Sequence, residues 1–137
     1  VKQPFLLDTC AALWIVAGEI SQEIADALSE SRRAGMPTYV SPITAWEVGM
    51  LARKGRFRSA YTPQRWFEQL MRAPDTTLAE LSAKILMESS FLPGNLHFDP
   101  ADRIIAATAR EFGFTVMTRD SALLGYASQG YLSAMEC

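Results

Sequence analysis

Two joined runs decide the fold: Asp99-Pro100-Ala101-Asp102-Arg103-Ile104-Ile105-Ala106-Ala107, and then Phe112-Gly113-Phe114-Thr115-Val116-Met117-Thr118-Arg119-Asp120. Asp99 is a natural helix N-cap, and Pro100 suits the first helical position, where its missing N–H is no loss. Gly113 fits the left-handed stop at the far end. Between them Ile105, Ala106 and Ala109 share a small apolar face, as a helix packed closely on a sheet requires. The β-rich run that follows reads as a strand ending at Thr118-Arg119-Asp120. A helix feeding straight into a buried strand points to an α/β architecture.

The rest of the chain repeats that alternation. Phe5-Leu6-Leu7 reads as a short buried strand ending at Asp8. Helical patterns follow over 11–16 and 21–33, the second capped by Ser21. Thr38-Tyr39-Val40 is a second strand after the punctuation of Gly35 and Pro37. Ser41-Pro42 opens a helix running to about Lys54, and Thr62-Pro63 opens another to about Met71. A short strand is possible within 74–78, and a helix is predicted over 81–91, broken by Pro93 and Gly94. A short helix over 121–124 and a weak strand at Tyr131-Leu132 close the chain. The expected fold is a three-layer α/β/α sandwich with a central, mostly parallel sheet, one domain over 1–137.

Composition bounds the function. With 49% hydrophobic and 20% charged residues the chain is globular rather than disordered. A net charge of −2 gives no global case for nucleic-acid binding, so any grip on RNA must be local. Cys10 and Cys137 form no disulfide framework or zinc spacing, which suits a reducing cytoplasm. Cys10, among apolar residues, is expected to be packing. The longest apolar stretch, 5–16, is interrupted by Asp8 and Thr9 and is too short to span a membrane. It also lacks a secretory leader pattern.

Four carboxylates stand where ordinary packing would not put them. Asp8 and Asp120 follow apolar strands directly, and ligands of open parallel sheets bind outside the carboxyl ends of strands. Asp is also a common turn residue. At a helical step of about 100°, Ile43, Trp46, Met50 and Leu51 form one apolar arc and Glu47 points into its middle; a glutamate snorkelling at the rim is the alternative. Asp102 suits the helix dipole in a first turn, yet Asp99 has the better claim to the cap. Four acids at one sheet edge would be hard to tolerate without a cation. Hard divalent ions such as Mg²⁺ take such oxygen ligands, which suggests phosphodiester chemistry.

At these residues the chain resembles the PIN-domain family, and within it the VapC toxins of prokaryotic toxin–antitoxin pairs. The matching pieces are Leu6-Leu7-Asp8-Thr9 with Leu13-Trp14, then Ser41-Pro42-Ile43-Thr44-Ala45-Trp46-Glu47. His97-Phe98-Asp99-Pro100-Ala101-Asp102-Arg103 with Ile104-Ile105-Ala106-Ala107 is the most specific, and Val116-Met117-Thr118-Arg119-Asp120 the last. The resemblance implies an α/β/α sandwich and a Mg²⁺-dependent endoribonuclease, with Mn²⁺ substituting, that cuts RNA with a metal-activated water. It carries the catalytic and metal-holding quartet onto Asp8, Glu47, Asp102 and Asp120, with Thr118 and Asp99 as accessory positions. Ala101 departs from the bulky aromatic frequent there. The resemblance further implies a homodimer and a cognate VapB-like antitoxin.

Local positive charge for RNA is offered by Arg53, Lys54, Arg56 and Arg58, and by Arg103 and Arg119 beside quartet members. Basic residues at a helix end also suit the dipole. The rings of Trp14, Trp46, Trp66, Tyr61 and Phe67 are many for so small a core, so some are expected on an interface, with Trp46 expected inside. His97 is expected to be structural or at the pocket rim rather than a general base. A phosphatase reading fails because its second Asp would fall at Cys10, and a receiver domain wants Lys where Arg119 stands. A catalytically silent RNA- or protein-binding module is the alternative.

Overall fold

The computed structural model describes residues 3–97 and 99–137; Phe98, part of the motif above, lies outside them. The elements are β1 (Phe5–Leu7), α1 (Thr9–Ala17), α2 (Gln22–Arg33), β2 (Thr38–Val40), α3 (Ile43–Arg53), α4 (Pro63–Met71), β3 (Thr76–Leu78), α5 (Ala83–Glu88), α6 (Pro100–Phe112), β4 (Thr115–Thr118), α7 (Ser121–Ser128) and β5 (Ser133–Glu136). The described strands form one sheet in the order β3-β2-β1-β4-β5, every pairing parallel. β1 therefore lies at the centre, flanked by β2 and β4, and the strand order reverses there.

Alternation along the strands builds the two outer layers. Leu6 and Val116 turn to one face, where they meet Ile105, Ala106 and Ala109 of α6 and Leu123 and Tyr126 of α7. Leu7, Val40 and Met117 turn to the other, onto Ala11 and Ala12 of α1, Ile24 and Leu28 of α2, Val48 of α3, and Trp66 and Leu70 of α4. A parallel sheet covered on both faces needs apolar residues at successive positions, hence Leu6-Leu7 and Val116-Met117. The alanines of α6 let that helix sit close to β1 and β4.

Several boundaries differ from expectation for local reasons. α5 is shorter than 81–91: the Ser82 hydroxyl caps it by accepting the Ile85 N–H at 3.2 Å, and Ser89 turns back to donate to the Leu86 carbonyl at 2.6 Å. α7 runs past Leu124 to Ser128, because buried Tyr126 donates its hydroxyl to the Pro93 carbonyl and holds the second turn. The last strand is Ser133–Glu136 rather than Tyr131-Leu132; Tyr131 instead stacks on Tyr126 at 5.1 Å.

Two packing expectations are corrected. Trp46 is 55% exposed, and the inward face of α3 is centred on Thr44 and Val48. The apolar arc through Ile43, Trp46, Met50 and Leu51 is thus rotated from the buried one, because α3 packs against α1, α4 and α6 together. Cys10 is exposed rather than packed, since the inward side of α1 is taken by Thr9, Ala11 and Ala12. Trp66, 2% exposed, is the indole that fills the core.

Candidate metal centre

β1 and β4 pair in register as far as Leu7 opposite Met117, so Asp8 and Thr118 come next at the carboxyl edge of the sheet. Asp8 is 3% exposed and caps α1: its Oδ1 accepts the Ala11 N–H at 2.8 Å. Its Oδ2 accepts the Thr118 hydroxyl. That hydroxyl oxygen also accepts the Asp120 N–H at 2.9 Å, and Asp120 caps α7 by accepting the Leu123 N–H at 2.9 Å. One threonine thus sets both strand-end acids.

The two helix acids approach from outside the sheet. Glu47 projects from α3 and accepts the hydroxyl of buried Thr9, which lies 3.1 Å from the hydroxyl of buried Thr44. Asp102 stands in the first turn of α6, and its backbone N–H is capped by Asp99 Oδ1 at 3.1 Å. Asp99 itself is exposed and serves as the cap of α6.

Asp8, Glu47 and Asp102 feel burial and the acids around them. Burial pushes the Asp102 carboxyl up to about 7, helped by repulsion from Asp99, Asp120, Glu47 and Asp8. Burial likewise raises Asp8, against the lowering bonds from Thr118 and Ala11 and with a repulsive contribution from Asp120. Burial raises Glu47, opposed by Thr9 and aided by Asp99 and Asp8. The Cys10 thiol is pushed to about 11 by desolvation and then by repulsion from Asp8, Glu47, Asp102 and Asp120. Among the described residues no lysine or arginine pairs with any member of the quartet. The cation-capable side chain that does meet it is His97, with Nε2 3.2 Å from Asp102 and 3.7 Å from Asp120. Carboxylates gathered at one edge with no lysine or arginine to neutralise them are the donor set a hard divalent ion requires, so the residues fit such an ion.

The candidate RNA contacts divide. Arg53, Lys54, Arg56 and Arg58 are exposed at the end of α3 and in the loop after it. Arg103 has a structural part: its Nε donates to the Ser89 carbonyl at 2.8 Å and its Nη1 to the carbonyls of Leu96 at 2.9 Å and His97 at 3.4 Å, which commits those two nitrogens. Arg119 is partly committed, lying 3.6 Å above the Trp14 ring with its Nε donating to the Cys137 carbonyl at 2.7 Å. Sequence reasoning assigned no role to Thr9 or Thr44. The signal was present, since both are hydroxyls on the inward faces of helices beside Asp8 and Glu47.

Residues 5–128 match the PIN domain family, and the chain belongs to that family. It is 33% identical over 121 residues to the ribonuclease VapC22 of Mycobacterium tuberculosis, covering 86% of this chain and 88% of that one. Its fold is also that of a chain in the VapBC2 complex of Rickettsia felis bound to a promoter DNA fragment, with TM-score 0.69, 14% identity, and 96% and 97% of the two chains covered. A chain of a toxin–antitoxin complex from Klebsiella pneumoniae matches with TM-score 0.56 and 24% identity, over 88% and 90% of the two chains.

Proposed function

We propose that this chain is a divalent-metal-dependent endoribonuclease and the toxin of a VapBC-type toxin–antitoxin pair. The observation that carries the reading is the convergence of Asp8, Glu47, Asp102 and Asp120 at the sheet edge with no lysine or arginine paired to any of them among the described residues. Likeness to a named ribonuclease supports RNA as the substrate.

Asp8, Glu47, Asp102 and Asp120 would hold Mg²⁺, with Mn²⁺ as the substitute. The ion supplies Lewis-acid polarisation of a phosphodiester and activation of the attacking water. The protein's own work is positional. The Thr118 hydroxyl orients Asp8, Thr9 orients Glu47, and the α1 and α7 N-termini fix the two strand-end carboxylates. No side-chain nucleophile is needed. Arg53, Lys54, Arg56 and Arg58 supply the positive surface that draws the RNA backbone, and the exposed part of Arg119 adds to it.

The partner expected is a VapB-like antitoxin, in the cytoplasm. Among the described residues no helix is long and apolar enough to cross a membrane. Homodimerisation is part of the reading, supported by Phe91 at 85% exposure and Met87 at 64%, apolar surface that association would cover. Light scattering at high concentration checks it; a monomer counts against the dimer.

Induced expression in a bacterial host without antitoxin tests the whole reading. Growth arrest with newly generated RNA ends is expected for the wild type and not for Asp8→Asn. Equal effects of the two proteins would sink it.

A further inference from the structure

His97 sits on the acids rather than beside them. Its Nε2 is 3.2 Å from Oδ2 of Asp102 and 3.7 Å from Oδ2 of Asp120. On the other side of the ring, Nδ1 accepts the Asp99 backbone N–H at 3.1 Å. A ring nitrogen that accepts carries no proton, so the N–H of the ring is on Nε2. A protonated Nε2 has no lone pair for a metal. The imidazole therefore shows the two carboxylates a donor, and ligation through Nε2 would set a second proton, on Nδ1, against the Asp99 N–H.

The donor is also poorly served where it is. Nε2 is buried and makes no well-angled hydrogen bond, although Nε2 and the two carboxylates offer ligand-type atoms all within 4.8 Å of one another. An orphaned buried donor 3.2 and 3.7 Å from two carboxylate oxygens asks for an explanation. The backbone beneath it is held: the Arg103 guanidinium bonds the Leu96 and His97 carbonyls, and Leu96 is buried. The side chain as a whole is 34% exposed.

We propose that His97 is a positioning residue whose imidazole N–H occupies the cation's place between Asp102 and Asp120, so that a divalent ion must displace the ring and the ring sets the site's affinity. This rests on the metal-site reading above. A ring that fills the place most of the time lowers the apparent affinity by the fraction of time it is absent.

Calorimetric titration with Mn²⁺ alone, at pH 8, tests this on the wild type, His97→Ala, His97→Gln and Asp102→Asn. His97→Ala is expected to bind Mn²⁺ about five- to tenfold more tightly. His97→Gln retains an amide donor near Nε2 and is expected within about twofold of the wild type. Weaker binding by His97→Ala would make the ring a ligand and overturn the proposal, as would unchanged affinity in that variant. If the wild type takes up no more Mn²⁺ than Asp102→Asn, the metal-site reading itself fails, a result distinct from either outcome at His97.

Discussion

Thr118 and Asp8 stand 110 residues apart in the chain and share a hydrogen bond, the Thr118 hydroxyl donating to Asp8 Oδ2. The same hydroxyl oxygen accepts the Asp120 N–H at 2.9 Å. The parallel pairing of β1 with β4 brings these groups together, and with them the inner half of the acidic site.

Replacing Thr118 by valine keeps the buried, β-branched shape and removes both bonds. A destabilisation of about 1–3 kcal/mol is expected, because a buried acceptor and a backbone N–H are left without their partner. Asp8 is also deprived of a bond that lowers its pKa. Urea denaturation of Thr118→Val checks the stability; no change in midpoint would mean that the hydroxyl does not organise the site.

Asp8→Asn tests the opposite balance. Asparagine caps a helix about as well as aspartate; it gives up one of the two acceptors that Asp8 offers to Ala11 and Thr118, and in return the substitution removes a desolvated charge that repels Asp120. The variant is expected to be as stable as the wild type or about 1 kcal/mol more so, while failing to take up metal. A strongly lowered thermal midpoint would assign Asp8 a structural role instead.

Stability without divalent metal should fall as pH rises. Asp102 titrates near 7 in the fold against an ordinary value of 3.8, so between those limits the native state holds a proton that the unfolded chain has released. The slope is negative there and vanishes above the folded value. The raised Asp8 and Glu47 act in the same direction. With EDTA present the thermal midpoint is expected to be higher at pH 5 than at pH 8, and Asp102→Asn should flatten the difference. Saturating Mg²⁺ should add stability most at high pH, where it competes with fewer protons.

The arginines should separate by role. Arg103→Met leaves the Ser89 and Leu96 carbonyls without their donor and is expected to cost about 2–3 kcal/mol. Arg56→Ala and Arg58→Ala should leave stability nearly unchanged and lower the salt slope of single-stranded RNA binding by about 0.7 for each phosphate no longer neutralised. Filter binding across a salt series, beside denaturation curves, distinguishes them; equal salt slopes in all variants would place the RNA elsewhere.

What was legible in the sequence follows how local each determinant is. α6 begins at Pro100 after the Asp99 cap and ends before Gly113 at φ 72, as its own residues predict. The strand-end acids were readable because an apolar run and its stop lie side by side in the chain. Burial on α3 was not, since Trp46 and Val48 differ by which neighbours reach them, and α1, α4 and α6 come from distant sequence. Thr9 beneath Glu47 depends on the same convergence. The exposure of Trp46 and the burial of Trp66 are indistinguishable in apolarity alone. The orientation of His97 depends on the Asp99 N–H and on the Arg103 clasp, neither of which has a pattern in sequence.

Cleavage of a structured-RNA panel by purified, antitoxin-free protein at low salt, in Mg²⁺, Mn²⁺ or EDTA and with Asp8→Asn prepared in parallel, tests the central claim most directly. The account predicts cutting by the wild type in Mg²⁺ and Mn²⁺, none in EDTA, and none by Asp8→Asn under any condition. Undiminished cutting in EDTA, or equal cutting by Asp8→Asn, would contradict it.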